Sequence, residues 1–200
     1  MPSPLYSAPQ NRMSCLNKPI ILPVSGPPIL ACGAWLKNTV CVTRGNKAYI
    51  SQLIGDLDSA EARLMLEQCV TDLCADLDVQ PEVVAHDLHP DFYSTQFAQS
   101  YAAQHGLPLV AVQHHHAHIA ALCAEHGVIQ PVLGLALDGV GLGTDGMPWG
   151  GELLRVDLVF NVKRDAQGMQ VIGQHLGRKA GLLLVEVDGD DVKTDGAHGP

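Results

Sequence analysis

The chain has 200 residues, 46% hydrophobic and 16% charged, with a net charge of −9 when histidines are neutral. That composition suits a single globular domain with a real core and argues against an intrinsically disordered chain. An acidic chain gains little from counterion release, so nucleic-acid binding is not expected. No run reaches ~18 consecutive apolar residues, so no membrane helix is expected. Met1 to Gln10 lacks the apolar core of a secretory signal. The six cysteines form no C-x-x-C pair, which argues against a zinc ribbon and makes a reducing cytoplasm the expected location.

In chain order, residues 1–27 are rich in Pro, Ser and Asn and read as a linker or a cut domain edge. Regular patterning starts at Pro28. Residues 29–34 and 39–43 are apolar, strand-like runs. Arg44-Gly45-Asn46 offers a tight turn into a third, alternating strand over 47–53. Asp58 or Ser59 then caps a helix in which Leu66, Cys69, Val70, Leu73, Cys74 and Leu77 recur at helical spacing. Residues 83–85 form a short buried strand. A helix over 93–104 stops at Gly106, and 108–112 is another strand. A third helix runs from His114 to His126. Residues 132–137 make a buried strand ending in Asp138, and 152–158 a further one. This order of early antiparallel strands followed by alternating helices and strands predicts an α/β fold: a mixed sheet with flanking helices. Residues 161–200 read as a divergent tail that need not fold.

Four segments carry candidate chemistry. In Gln113-His114-His115-His116-Ala117-His118 the spacing puts His114 and His118 on one helical face, where both imidazoles can hold one divalent metal, iron or zinc. His115 and His116 point elsewhere, toward a supporting layer or the surface, and a solvated polar cap is the competing explanation of the cluster. Asp138 closes an apolar strand at the edge where α/β folds bind ligands and is the third candidate ligand. After it, Gly139, Gly141 and Gly143 can turn the backbone tightly and offer N–H groups to an anion, although an ordinary hairpin would use the same residues. The segment Gly33 to Thr39 reads either as a hairpin bringing Lys37 and Asn38 to a phosphate or as a turn with a solvated lysine. His86-Asp87-Leu88-His89-Pro90-Asp91 follows a core strand, so that His86 and His89 could line the same cleft, as could His115.

These blocks, Leu36-Lys37-Asn38-Thr39, Ala85 through Asp91, Val112 through His118, and Asp138-Gly139 through Trp149-Gly150-Gly151-Glu152, resemble the C-terminal domain of the HypF family. HypF proteins are the carbamoyltransferases of [NiFe]-hydrogenase maturation. The blocks stand in the family's order, and the resemblance covers roughly residues 28–156. It implies the first lobe of an actin- and sugar-kinase-like, ribonuclease H-like fold over residues 28–160. It also implies that carbamoyl phosphate and ATP yield carbamoyl-adenylate, and that the carbamoyl group passes to the C-terminal cysteine of a HypE-type acceptor protein. By the same match His114, His118 and Asp138 would hold the metal, with Lys37 and the glycine-loop amides stabilising charge on phosphate oxygens and Lys37 and Asp138 as catalytic residues. The family pattern is expected to end near Phe160, without the second lobe. Two other functions fit the same residues: a truncated, non-catalytic module keeping metal or partner contacts, and a TsaD-like tRNA threonylcarbamoyl transferase. The triple-histidine block and W-G-G-E argue against the last.

Overall fold

The computed structural model describes residues 18–156 and the backbone of 164–165 and 168–169. Expectations for the rest of residues 1–17 and 161–200 fall outside that range.

The central feature is a five-stranded mixed sheet. Its strands are β1 (Ile20–Gly26), β2 (Ile29–Ala31), β3 (Cys41–Ile50), β4 (Val83–Asp87) and β5 (Leu109–Val112), in the spatial order β1-β3-β2-β4-β5. β3 runs antiparallel to both β1 and β2, whereas β2, β4 and β5 run parallel. Two sequence expectations give way here. Ile20–Gly26 belongs to the sheet, so part of residues 1–27 is not a linker. Arg44-Gly45-Asn46 does not reverse the chain but lies inside the ten-residue β3. Gly45 takes a positive φ of 60°, and the β1–β3 register shifts between Ile21 and Gly26. The glycine therefore serves an irregularity within the strand rather than a hairpin turn.

Helices α1 (Ala60–Asp76) and α2 (Tyr93–His105) cover one face of the sheet. Of the two caps the sequence offers, Asp58 and Ser59, it is the Ser59 hydroxyl that caps α1, accepting the Ala62 N–H at 3.1 Å. Leu66, Cys69, Val70 and Leu73 then fall on one buried face, as their spacing requires. Gly106, with φ at 65°, ends α2 in a left-handed cap. Leu30, Val42 and Val84 from the sheet complete this core with Ala98 and Ala102 of α2. Cys32 is buried and Cys41 half-buried; desolvation pushes the Cys41 thiol up to about 12 and Cys32 higher still, so both stay neutral.

α3 (His114–Glu125) lies on the opposite face, where Ala124 packs on Leu22 and Ala48. Its other side carries a separate ribbon of β6 (Val132–Ala136) and β9 (Glu152–Val156), antiparallel to each other. Ile119, Ala120 and Cys123 of α3 pack there against Ala136, Leu154 and Val156. The expected buried strand at 132–137 is thus half-buried. It has left the main sheet, and Leu133, Leu135 and Leu137 are 73%, 62% and 80% exposed. A short hairpin, β7 (Gly141–Leu142) and β8 (Pro148–Trp149), links the ribbon strands. The mixed sheet, its antiparallel margin and the flanking helices form a ribonuclease H-like lobe. Among the described residues no helix is long and apolar enough to cross a membrane.

Candidate metal centre

The parallel strands β2, β4 and β5 end at one edge of the sheet, where α/β folds gather ligand-binding groups. Asp87, the last residue of β4, pairs with Val112, the last of β5. α3 begins two residues later, so β4 and α3 meet at their functional ends.

Gln113 is the N-cap of α3. Its Oε1 accepts the His116 N–H at 3.0 Å, while its Nε2 donates to His115 Nδ1 at 2.9 Å and to the Leu142 carbonyl at 3.2 Å. One amide therefore ties the helix start to the glycine hairpin. Because Nδ1 of His115 accepts, its proton resides on Nε2. His115 and His116 are fully buried, so of the two positions the sequence left open, supporting layer or surface, neither ring takes the surface. Burial is the main reason the His115 pKa is lowered, so the ring stays neutral beneath the hairpin.

His114 stands between two carboxylates. Its Nδ1 lies 2.7 Å from Asp87 Oδ2 and its Nε2 lies 2.8 Å from Asp138 Oδ2. The hydrogen bond to Asp87 is the largest cause of its raised pKa. His118 Nε2 is 3.2 Å from His114 Nε2 and 3.4 Å from Asp138 Oδ2. Asp138 accepts the Gly139 N–H at 2.7 Å, the main cause of its lowered pKa.

His114, His118 and Asp138 are the metal-capable cluster among the described residues, with donor atoms within 4.8 Å of one another. The donor chemistry fits a divalent cation. Edges of 2.8, 3.2 and 3.4 Å approach the ~3.4 Å edge of a tetrahedron with ~2.1 Å metal–ligand bonds. If the Asp87 contact holds the proton on Nδ1, the Nε2 lone pair faces the Asp138 oxygen, and only a proton or a cation makes that approach favourable.

The other predicted residues fare differently. Asn38 is 1% exposed, and its Nδ2 donates to the carbonyls of Cys32 and Ala34 at 2.9 and 2.6 Å. Its amide therefore builds the turn after β2, a correction to its expected place on a phosphate. Lys37 sits in that turn with φ at 47°, its backbone N–H held by Asp56 Oδ1 at 2.8 Å. Its side chain is exposed, in the segment that follows β2, the parallel neighbour of β4. His86 donates from Nδ1 to the Asp87 carbonyl at 2.6 Å, and it lines an apolar cleft of about 390 Å³ with His114 and His118 at its rim. His89 stacks on Phe92 at 4.3 Å, so the structure gives it a packing role.

The glycines also depart from an anion cradle. The Gly139 N–H is used by Asp138 and the Gly143 N–H by the Met147 carbonyl, at 2.7 and 2.8 Å. Gly141 is required by contact: a Cβ there would lie 2.8 Å from both His114 Cβ and His115 Cε1. At Gly143 it would meet Trp149 Nε1 at 2.1 Å. The turn is instead pinned by Asp145, whose Oδ1 accepts the Met147 N–H at 2.9 Å and the Trp149 indole N–H at 3.0 Å.

The Met147 bond is the main cause of the Asp145 pKa being lowered from its usual 3.8. A lowered carboxylate pKa contributes stability above the unfolded-state value and loses it as pH falls through the folded-state value. Trp149 fluorescence, recorded in a Trp35→Phe background, should therefore change as pH falls below about 3.8. Adding Asp145→Asn should remove that transition. The same transition in the Asn variant would show that another group controls the hairpin.

Asp87 and Gln113 are the residues that sequence reasoning missed as site members. Asp87 could have been found as a carboxylate flanked by His86 and His89 after an apolar strand. Gln113 carried no signal, because glutamine is not a favoured N-cap.

The fold and site together define a ribonuclease H-like lobe carrying a candidate two-histidine, one-carboxylate metal centre. The sequence matches the HypF Kae1-like domain over residues 24–125 and the second subdomain of the Kae1-like carbamoyltransferase domain over 134–173. The chain belongs to the HypF family. The second match begins within β6, where the chain leaves the main sheet, and runs past Phe160, where the family pattern was expected to end. The chain is 60% identical over 133 residues to carbamoyltransferase HypF2 of Cupriavidus necator, covering 66% of this chain and 16% of that protein. It is 52% identical over 140 residues to carbamoyltransferase HypF of Rhizobium leguminosarum bv. viciae, covering 70% and 18%. A crystal structure of full-length HypF in a phosphate- and nucleotide-bound form superposes with a TM-score of 0.66 at 46% identity, covering 70% of this chain and 18% of that one. The chain thus spans about a sixth of the length of these relatives.

Proposed function

We propose that this chain provides the metal-holding part of a carbamoyl-transfer site in hydrogenase maturation. The observation that carries this reading is the convergence of His114, His118 and Asp138 at the edge where β4, β5 and α3 meet. When bound there, a divalent cation, iron or zinc, supplies Lewis acidity toward a carbamoyl or phosphate oxygen. The two imidazoles and Asp138 fix its position, and Asp87 orients His114. Asn38 holds the turn that presents Lys37 at the same edge, where its ammonium would neutralise charge on phosphate oxygens. The donor is carbamoyl-adenylate, made from carbamoyl phosphate and ATP. The thiolate of a HypE-type C-terminal cysteine attacks the carbamoyl carbon, a C–S bond forms, the C–O bond breaks, and AMP departs with the electron pair. The phosphate- and nucleotide-bound relative supports the donor class, and the cytoplasm is the compartment that fits this role.

The test supplies carbamoyl-adenylate and a HypE-type acceptor to the purified chain and follows carbamoylation of the acceptor's C-terminal peptide by mass spectrometry. Transfer that disappears in a His114→Ala/His118→Ala variant supports the proposal. Metal binding without any transfer would leave the non-catalytic module as the correct reading.

A further inference from the structure

We infer that Asp87 is the positioning residue of the metal centre, holding His114 as the tautomer whose Nε2 lone pair points to the cation. This assignment rests on the metal reading proposed above and extends it to a residue outside the ligand set. The geometry comes from the fold. β4 and β5 pair in parallel with Asp87 opposite Val112, so the strand that ends in the carboxylate stops beside the strand that leads into His114. The carboxylate is 2.7 Å from His114 Nδ1, with its side chain only 5% exposed. Asp87 is held on both side chain and backbone. Its Oδ1 accepts the His89 N–H at 2.8 Å, and its backbone carbonyl accepts the Thr95 hydroxyl at 3.1 Å and His86 Nδ1 at 2.6 Å. His114 Nε2, on the far side of the ring, faces Asp138 Oδ2 at 2.8 Å and His118 Nε2 at 3.2 Å.

A neutral imidazole carries one ring proton, and a carboxylate can only accept it. Asp87 therefore keeps that proton on Nδ1 and leaves Nε2 free to ligate. It also stops the ring from rotating out of line and increases the basicity of the donating nitrogen. His118 is 58% exposed at its side chain, and its contacts with His114 and Asp138 are both made through Nε2. The assignment makes His114 the anchored ligand and His118 the adaptable one.

Zinc titration of the full 200-residue chain by competition with a chelating dye gives the first readout. Asp87→Asn should weaken zinc roughly 10- to 100-fold, the usual effect of losing such a partner. Long-range ¹H–¹⁵N spectra of the zinc-loaded wild-type chain give the second and do not depend on the variant folding. They should show His114 protonated at Nδ1 and not at Nε2. An Asn variant within twofold of wild type, or a His114 Nδ1 without a proton in the wild type, overturns the assignment while leaving the metal site standing. Zinc affinity that survives His114→Ala/His118→Ala overturns the metal reading and this assignment with it.

Discussion

Replacing His114 and His118 together by alanine is expected to lower the affinity of the chain for zinc or ferrous iron by at least about a thousandfold. Structural zinc sites bind with about 10–16 kcal/mol shared over four ligands, or roughly 3 kcal/mol each. Two lost ligands remove about 6 kcal/mol, of which a thousandfold change is roughly two-thirds. Removing His114 also leaves the Asp87 carboxylate, 5% exposed, without its ring partner, and an uncompensated buried charge lowers stability. His118→Ala alone avoids this, because that side chain is 58% exposed and the Asp87–His114 pair stays intact. The single variant should keep the wild-type circular dichroism and melting temperature and still bind metal roughly a hundredfold more weakly. Equilibrium dialysis with metal analysis measures both. Unchanged metal content in the double variant would refute the site.

Gly141→Ala is expected to separate the two halves of the centre. The new methyl would stand 2.8 Å from His114 Cβ and 2.8 Å from His115 Cε1. His114 Cβ is fixed to the helix backbone, and His115 is fully buried and bonded to Gln113. Neither can swing aside, so the hairpin must move, at a cost of about 1–3 kcal/mol for overpacking. Asp138 lies three residues upstream of Gly141 and contacts His114 and His118 at 2.8 and 3.4 Å. A shift of the hairpin stretches those contacts, and metal affinity should fall by at least about tenfold, the lower end for a disturbed ligand environment. Gly139→Ala is the matched control, since a Cβ there meets nothing within 4 Å. It should bind metal as the wild type does. Equal effects of the two substitutions would sink the steric explanation and point instead to a general need for flexible backbone.

Local signals were legible in the sequence where they act alone. Ser59 capped α1, Gly106 closed α2, and the four-residue spacing of His114 and His118 placed both rings together. Signals that depend on a neighbouring strand were not. Gly45 looks like a turn residue in isolation, yet pairing with β1 keeps it inside one strand, as a local irregularity. Leu133, Leu135 and Leu137 read as a core run because their hydrophobicity is visible along the chain, whereas their exposure among the described residues depends on which segments pack beside them. The glycines after Asp138 had two physical explanations, anion contact or close packing. The positions of the His114, His115 and Trp149 side chains favour packing at Gly141 and Gly143.

The sequence by itself determined the α/β class, the three helices, the family resemblance and the metal-capable residues. Each is encoded by periodicity, capping or spacing within a short stretch of chain, or by motif order along it. Only the tertiary structure decided that β1 joins the sheet, that β6 leaves it, and that Asp87 and Gln113 belong to the site. Those facts arise from contacts between segments distant in sequence. His114 and Asp87 are 27 residues apart, and it is the parallel pairing of β4 with β5 that sets a carboxylate against one ring nitrogen of His114 while the other faces Asp138 and His118.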